Sequence, residues 1–142
     1  MRKINYIVVH CSATREGCTL TSEALEAEHR RRGFRTTGYH YYIRRDGTVL
    51  GTRSLELPGA HCRGHNKYSI GICYEGGLDA WGNPKDTRTP EQRSALHLLV
   101  YQLLQQFRNA RVCGHRDLSP DLDGDGTVEP WELSLIHISE PT

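Results

Sequence analysis

The sequence predicts a single α/β domain built on a central mixed β-sheet flanked by helices. Three observations carry that expectation. The chain has 142 residues, which is room for one ordinary core. Apolar residues make up 37% and charged residues 25%, a balance typical of a globular domain. Short β-branched runs alternate with helix-like segments, and no internal repeat interrupts the alternation.

The elements follow in order. "INYIVVH", from Ile4 to His10, is a β-branched apolar run that reads as a buried strand ending at His10. In "TSEALEAEHRRRG", Thr21 or Ser22 can cap a helix, Leu25 and His29 lie one turn apart, and Gly33 is a natural stop. "YHYYIRRDGTVL" reads as a hairpin closed around Asp46-Gly47. "SIGICYEGG", Ser69 to Gly77, is a further strand with Ile70, Ile72 and Tyr74 on one face. "LDAWGNPKDTRTP" reads as a polar loop. "TPEQRSALHLLVYQLLQQF" is the clearest helix, with Thr89 as cap, Pro90 in the first position and Glu91 at the positive end of the dipole. Leu96, Leu99, Val100, Leu103 and Leu104 form its apolar stripe. "ARVCGH" is a short strand ending at His115.

Composition excludes several classes of function. A net charge of +1 is too balanced to draw in nucleic acid by electrostatics. No apolar run approaches the roughly 20 residues that span a bilayer, so membrane insertion is not expected. The short apolar run near the N-terminus reads as a strand and not as a signal peptide. Synthesis in the cytoplasm is therefore expected. The five cysteines, Cys11, Cys18, Cys62, Cys73 and Cys113, contain no C-x-x-C pair. That argues against a disulfide framework or a zinc knuckle, and most are expected to be reduced and buried.

His10 and His115 each close a short apolar strand, placing imidazoles at the sheet rim, where sites form. Neutral imidazole is a common zinc ligand, but spacing alone leaves a site and a structural role evenly matched. The local strings add more. "VVHCSAT", "GYHYYIRRDGTV", "GAHCRGHNKYSIGICYEGG", "TPEQRSALHLLVYQLL" and "GHRDLSP" occur in this order. Together they resemble the zinc-dependent N-acetylmuramoyl-L-alanine amidases of the phage-lysozyme and peptidoglycan-recognition-protein type, over roughly residues 4 to 120.

The resemblance implies a peptidoglycan-recognition-protein-like fold. It also implies hydrolysis of the amide between N-acetylmuramic acid and L-alanine by a zinc-activated water. By the same resemblance His10 and His115 match zinc ligands, and Tyr39 matches a tyrosine whose hydroxyl assists at the scissile amide. His40, His61 and Asn66 fall where relatives line the peptide groove, with simple packing as the alternative. His29, His65 and His97 read as a helix face, a loop and a helix face. Peptidoglycan is the implied partner and the cell wall the implied place of action. Phage lysis, wall remodelling and interbacterial use stay equally open, as does oligomeric state.

Two features depart from the family pattern. A catalytic lysine and a third zinc ligand should follow "GHRD", yet no lysine follows Lys85 and no cysteine follows Cys113. Asp123 or Asp125 could complete the site. The same residues lie in "DLDGDGTVEPWE", which fits the calcium-loop pattern D-x-[DN]-x-[DN]-G-x5-E. There Asp121, Asp123, Asp125, Thr127 and Glu132 would be calcium ligands and Gly126 the sharp turn. Pro120 stands where such loops have a preceding helix, and a solvated acidic turn is the plain alternative. The closing "LSLIHISEPT" has no family character and resembles a translated sequencing adapter. The amidase-like domain is accordingly expected over 1–132, with a non-native tail over 133–142 that includes His137. Without a third ligand the chain would be a catalytically incomplete peptidoglycan-binding module. A calcium-dependent structural domain with no wall chemistry is the weaker third reading.

Overall fold

The computed structural model describes residues 3–31, 33, 37–61 and 64–114, and its elements follow the apolar runs of the chain. The β-branched run forms β1 (Tyr6–Cys11), one residue beyond His10. A two-residue strand, β2 (Thr14–Arg15), comes next. Helix α1 (Ser22–Arg31) is capped by Thr21, whose Oγ1 accepts the Ala24 amide at 3.1 Å. Leu25 and His29 form its buried face.

The hairpin consists of β3 (Tyr41–Ile43) and β4 (Val49–Gly51), paired antiparallel. The Arg44 amide donates to the Thr48 carbonyl and the Gly47 amide to the Arg44 carbonyl, each at 2.9 Å. Gly47 has φ +89°, a conformation that costs glycine little. A 3-10 turn at Asn66–Tyr68 leads into β5 (Ser69–Tyr74). The strand stops there, short of Gly77, because Gly76 and Gly77 turn the backbone to φ +131° and +104°. Beyond that turn, β6 (Gly77–Leu78) pairs parallel with β2. The stretch expected as loop thus begins with a residue of a second, two-stranded sheet.

Helix α2 (Pro90–Gln106) carries a reciprocal cap. Thr89 Oγ1 accepts the Gln92 amide at 3.1 Å, and the Thr89 amide donates to Gln92 Oε1 at 3.0 Å. The last described strand is β7 (Arg111–Gly114). The main sheet has the order β4-β3-β5-β1-β7. Its β3, β5, β1 and β7 run parallel and β4 runs antiparallel, which is the mixed sheet expected from the sequence.

Strand alternation sends neighbouring residues to opposite faces. Ile7, Val9, Ile43, Ile70, Ile72 and Tyr74 pack against Leu96, Leu99, Val100 and Leu103 of α2. Burying each such aliphatic side chain contributes about 1.5–3 kcal/mol, so this face dominates stability. The other face holds a smaller cluster of Leu25, Tyr42 and Cys73, together with buried polar groups. Of the four described cysteines, Cys73 alone is buried, Cys11 and Cys113 are half-buried and Cys18 is exposed. The expectation of mostly buried cysteines is corrected accordingly. Cys18 sits in the connection between β2 and α1, outside both clusters.

Glu75, just past β5, ties the hairpin to the rest. Its carboxylate accepts from Arg44 Nε at 2.8 Å, the Arg45 amide at 3.0 Å and the Leu20 amide at 2.7 Å. Burial alone would raise its pKa, but the Arg44 guanidinium and the two amides outweigh that and hold it below the ordinary carboxylate value.

Candidate active site

The polar groups gather on the α1 face, where His10 near the end of β1 and the first half of β5 meet the loop 59–61. His10 points to this face because Val9 points to the other. It pairs in register with Cys73 of β5 and is only 7% exposed. Its Nε2 lies 2.9 Å from Nδ1 of His61, and the two rings meet edge to face. The other nitrogen of His61, Nε2, lies 3.1 Å from Ser69 Oγ. The His61 amide donates to Asn66 Oδ1 at 3.0 Å.

Tyr39 is half-buried beside this pair. Its ring centroid is 5.2 Å from that of His10 and 5.5 Å from that of His29. The hydroxyls of Thr37 and Thr52 donate to its carbonyl at 3.0 and 2.8 Å. Its side chain is near enough to Cys73 to favour the thiolate. Burial, and then the nearby Cys11, push the Cys73 thiol well above its ordinary pKa against that influence. Cys73 is therefore a neutral thiol and not a nucleophile.

His40 has no exposed surface. Its Nδ1 accepts the Gly71 amide at 3.0 Å, which leaves the proton on Nε2 to donate to the Leu57 carbonyl at 2.8 Å. Both of these bonds are to backbone groups. His29 Nδ1 accepts the Gly38 amide at 2.8 Å, and His97 is exposed on α2. These match their plain readings.

The structure thus brings together His10, Tyr39, His40, His61 and Asn66. His115 follows Gly114, which pairs with Val9, but itself lies outside the described residues. So do Asp121, Asp123, Asp125, Thr127 and Glu132, and with them the calcium and third-ligand readings. Among the described residues no group of three or more His, Cys, Asp or Glu side chains gathers as a metal cluster. The donors that are described suit zinc in kind, since His10 is a buried imidazole whose second-ring contact is of the sort that orients metal-bound histidines.

Sequence reasoning missed Ser69, Gly59 and Gly71. A Cβ on Gly71 would lie 2.6 Å from Cγ and Cδ2 of His61, and one on Gly59 would lie 2.5 Å from Cδ2. The signal for Gly71 was present, because glycine inside a strand run marks a close approach.

Comparison with known proteins bears on the family and the fold. The family model for N-acetylmuramoyl-L-alanine amidase matches residues 1–130. An endolysin of Klebsiella phage KP32 is 39% identical over 130 residues, covering 92% of this chain and 86% of its own length. Among solved structures, the N-acetylmuramoyl-L-alanine amidase LysC from Clostridium intestinale URNW superposes with a TM-score of 0.73 at 28% identity, over 93% of this chain and 83% of that one. The complex of peptidoglycan recognition proteins LCa and LCx with tracheal cytotoxin superposes at 0.67 and 28% identity, over 84% and 74%.

Proposed function

The chain belongs to the N-acetylmuramoyl-L-alanine amidase family and is a peptidoglycan amidase, and we propose that it works with zinc held by His10 and His115. The family is generally zinc-dependent. The observation that carries the proposal is His10 itself: a nearly buried imidazole at a strand end, oriented by His61 and flanked by Tyr39. Zinc, when bound, polarises a carbonyl and makes water a usable nucleophile near neutral pH.

The remaining roles belong to the chain's own groups. Tyr39 is assigned the hydrogen bond to the amide oxygen as negative charge develops there, its hydroxyl turning from the Cys73 thiol to donate it. Its backbone is fixed by Thr37 and Thr52. Those threonines also line a surface cavity of about 270 Å³ with Ser22, Glu23, Glu26, Leu50 and Gly51, which we assign to the stem peptide. His40 and Asn66, assigned to the peptide groove with His61, are held by bonds to Gly71, Leu57 and His61. The zinc and calcium readings compete for the same carboxylates: either Asp123 or Asp125 is the third zinc ligand, or residues 121–132 hold calcium and the third ligand lies beyond Glu132. Action on the cell wall follows from this reading. No helix among the described residues is long and apolar enough to cross a membrane.

The test is incubation of purified peptidoglycan with the full chain and zinc, counting newly exposed L-alanine amino groups. His10→Ala is expected to abolish their release. Wall binding without release, by the unaltered chain with saturating zinc, would replace this reading with that of a peptidoglycan-binding module. Selective calcium chelation should lower stability and zinc affinity together; no change in either would remove calcium.

A further inference from the structure

The buried polar groups of the α1 face form a chain with a direction. His10 Nε2, His61 Nδ1, His61 Nε2 and Ser69 Oγ follow one another at 2.9 Å, across the ring, and 3.1 Å. A neutral imidazole has one N–H and one lone pair, so the chain can be polarised in only two ways. In one, Ser69 donates to His61, His61 donates to His10, and the lone pair of His10 Nε2 is consumed. In the other, His10 Nε2–H donates to His61 Nδ1, and His61 Nε2–H donates to Ser69 Oγ. Only the second leaves His10 with its lone pair on Nδ1.

We propose that His61, backed by Ser69, is the positioning residue that holds His10 in this second tautomer, with the proton on Nε2 and the metal-binding lone pair on Nδ1. The proposal rests on the zinc reading above, which chooses between the two polarisations; the contacts themselves accommodate either. His61 is held at every point. Its amide is bonded to Asn66, both ring nitrogens are engaged, and the ring lies against Gly59 and Gly71 where no Cβ fits. Any buried ring nitrogen needs a partner; what sets His61 apart from His40 is that one of its partners is the imidazole of His10 and not backbone. Ser69 is itself fully buried, so the outer end of the chain is as enclosed as the inner one. Metal-binding histidines are commonly oriented by such a second bond, and losing it typically weakens metal affinity 10–100-fold.

The experiment uses the full chain, labelled with 15N-histidine and free of metal, and long-range 1H–15N correlation to read which nitrogen of each imidazole carries the proton. His10 is expected to be protonated at Nε2 and His61 at Nε2. In His61→Ala the preference of His10 should disappear, and zinc affinity, measured by competition with a chelator, should fall about 10–100-fold. His61→Asn places an amide oxygen near the former Nδ1 and should recover most of both. Ser69→Ala, the mildest change, should weaken zinc less than His61→Ala. A His10 protonated at Nδ1 in the unaltered chain would overturn the assignment, as would a folded His61→Ala with unchanged tautomer and zinc affinity. If the tautomers are as assigned and the unaltered chain fails to bind zinc, the assignment stands and the zinc reading falls.

Discussion

The two faces of the central sheet are built from the same strands and do opposite work. On the α2 face, Ile7, Val9, Ile70 and Ile72 meet the leucines of α2 in a continuous apolar layer. On the α1 face, the residues between them (His10, Ser69, Gly71, Cys73) meet imidazoles, hydroxyls and only a small apolar cluster. One face supplies the stability that the other, rich in buried polar groups, cannot supply for itself. The period of two along a strand lets adjacent residues serve these separate ends.

Substitutions on single strands can break this division or sharpen it. Ile72→Ala, on the α2 face, should cost about 2–5 kcal/mol in denaturant melting. Zinc affinity of the protein that remains folded should be unchanged. Gly71→Ala, one residue earlier, should cost about 1–3 kcal/mol by overpacking. It should also weaken zinc by about tenfold or more, because the new Cβ displaces His61; equal zinc affinity in the two variants would erase the distinction between faces.

Glu75→Gln should cost about 1–3 kcal/mol near neutral pH, since an amide leaves one of the three converging donors unmatched. The sign with pH is fixed by the depressed carboxyl. Its contribution is complete above the ordinary value of 4.5 and is lost as pH falls through the lower folded value. Melting curves of the variant and the unaltered chain should therefore converge in acid. Thr89→Ala should lower stability by about 1 kcal/mol through loss of the α2 cap, with the α1-face hydrogen bonds undisturbed. His97→Ala, on the exposed side of α2, should change melting by less than about 0.5 kcal/mol.

The α2 face was the more legible of the two. Its periodicities, the Thr89–Pro90 start and the Ile70/Ile72/Tyr74 alternation are local patterns, and the folded chain follows them. The β2–β6 sheet was not legible, because two-residue strands carry no period and arise from the glycine turn at 76–77. On the α1 face His10 was visible as a strand end, but its contact with His61 joins positions 51 apart, a distance that no local pattern spans. Ser69 was hidden for a different reason: a small polar residue opening an apolar run looks like a strand boundary. The enclosure of His40 likewise depends on distant segments, the loop at Leu57 and the strand β5 at Gly71.

The place of β1 in the sheet has a consequence for how the molecule is made. Its partners lie at residues 69–74 and 111–114, so both of its edges wait for later parts of the chain. As the chain emerges from the ribosome, β1 gains one neighbour only after β5 appears and the second only after β7. Parallel pairings between such distant segments form slowly, and until they form the apolar strand presents open edges to other chains. Yield on expression should consequently respond more to temperature and chaperone supply than to the stability of the finished fold.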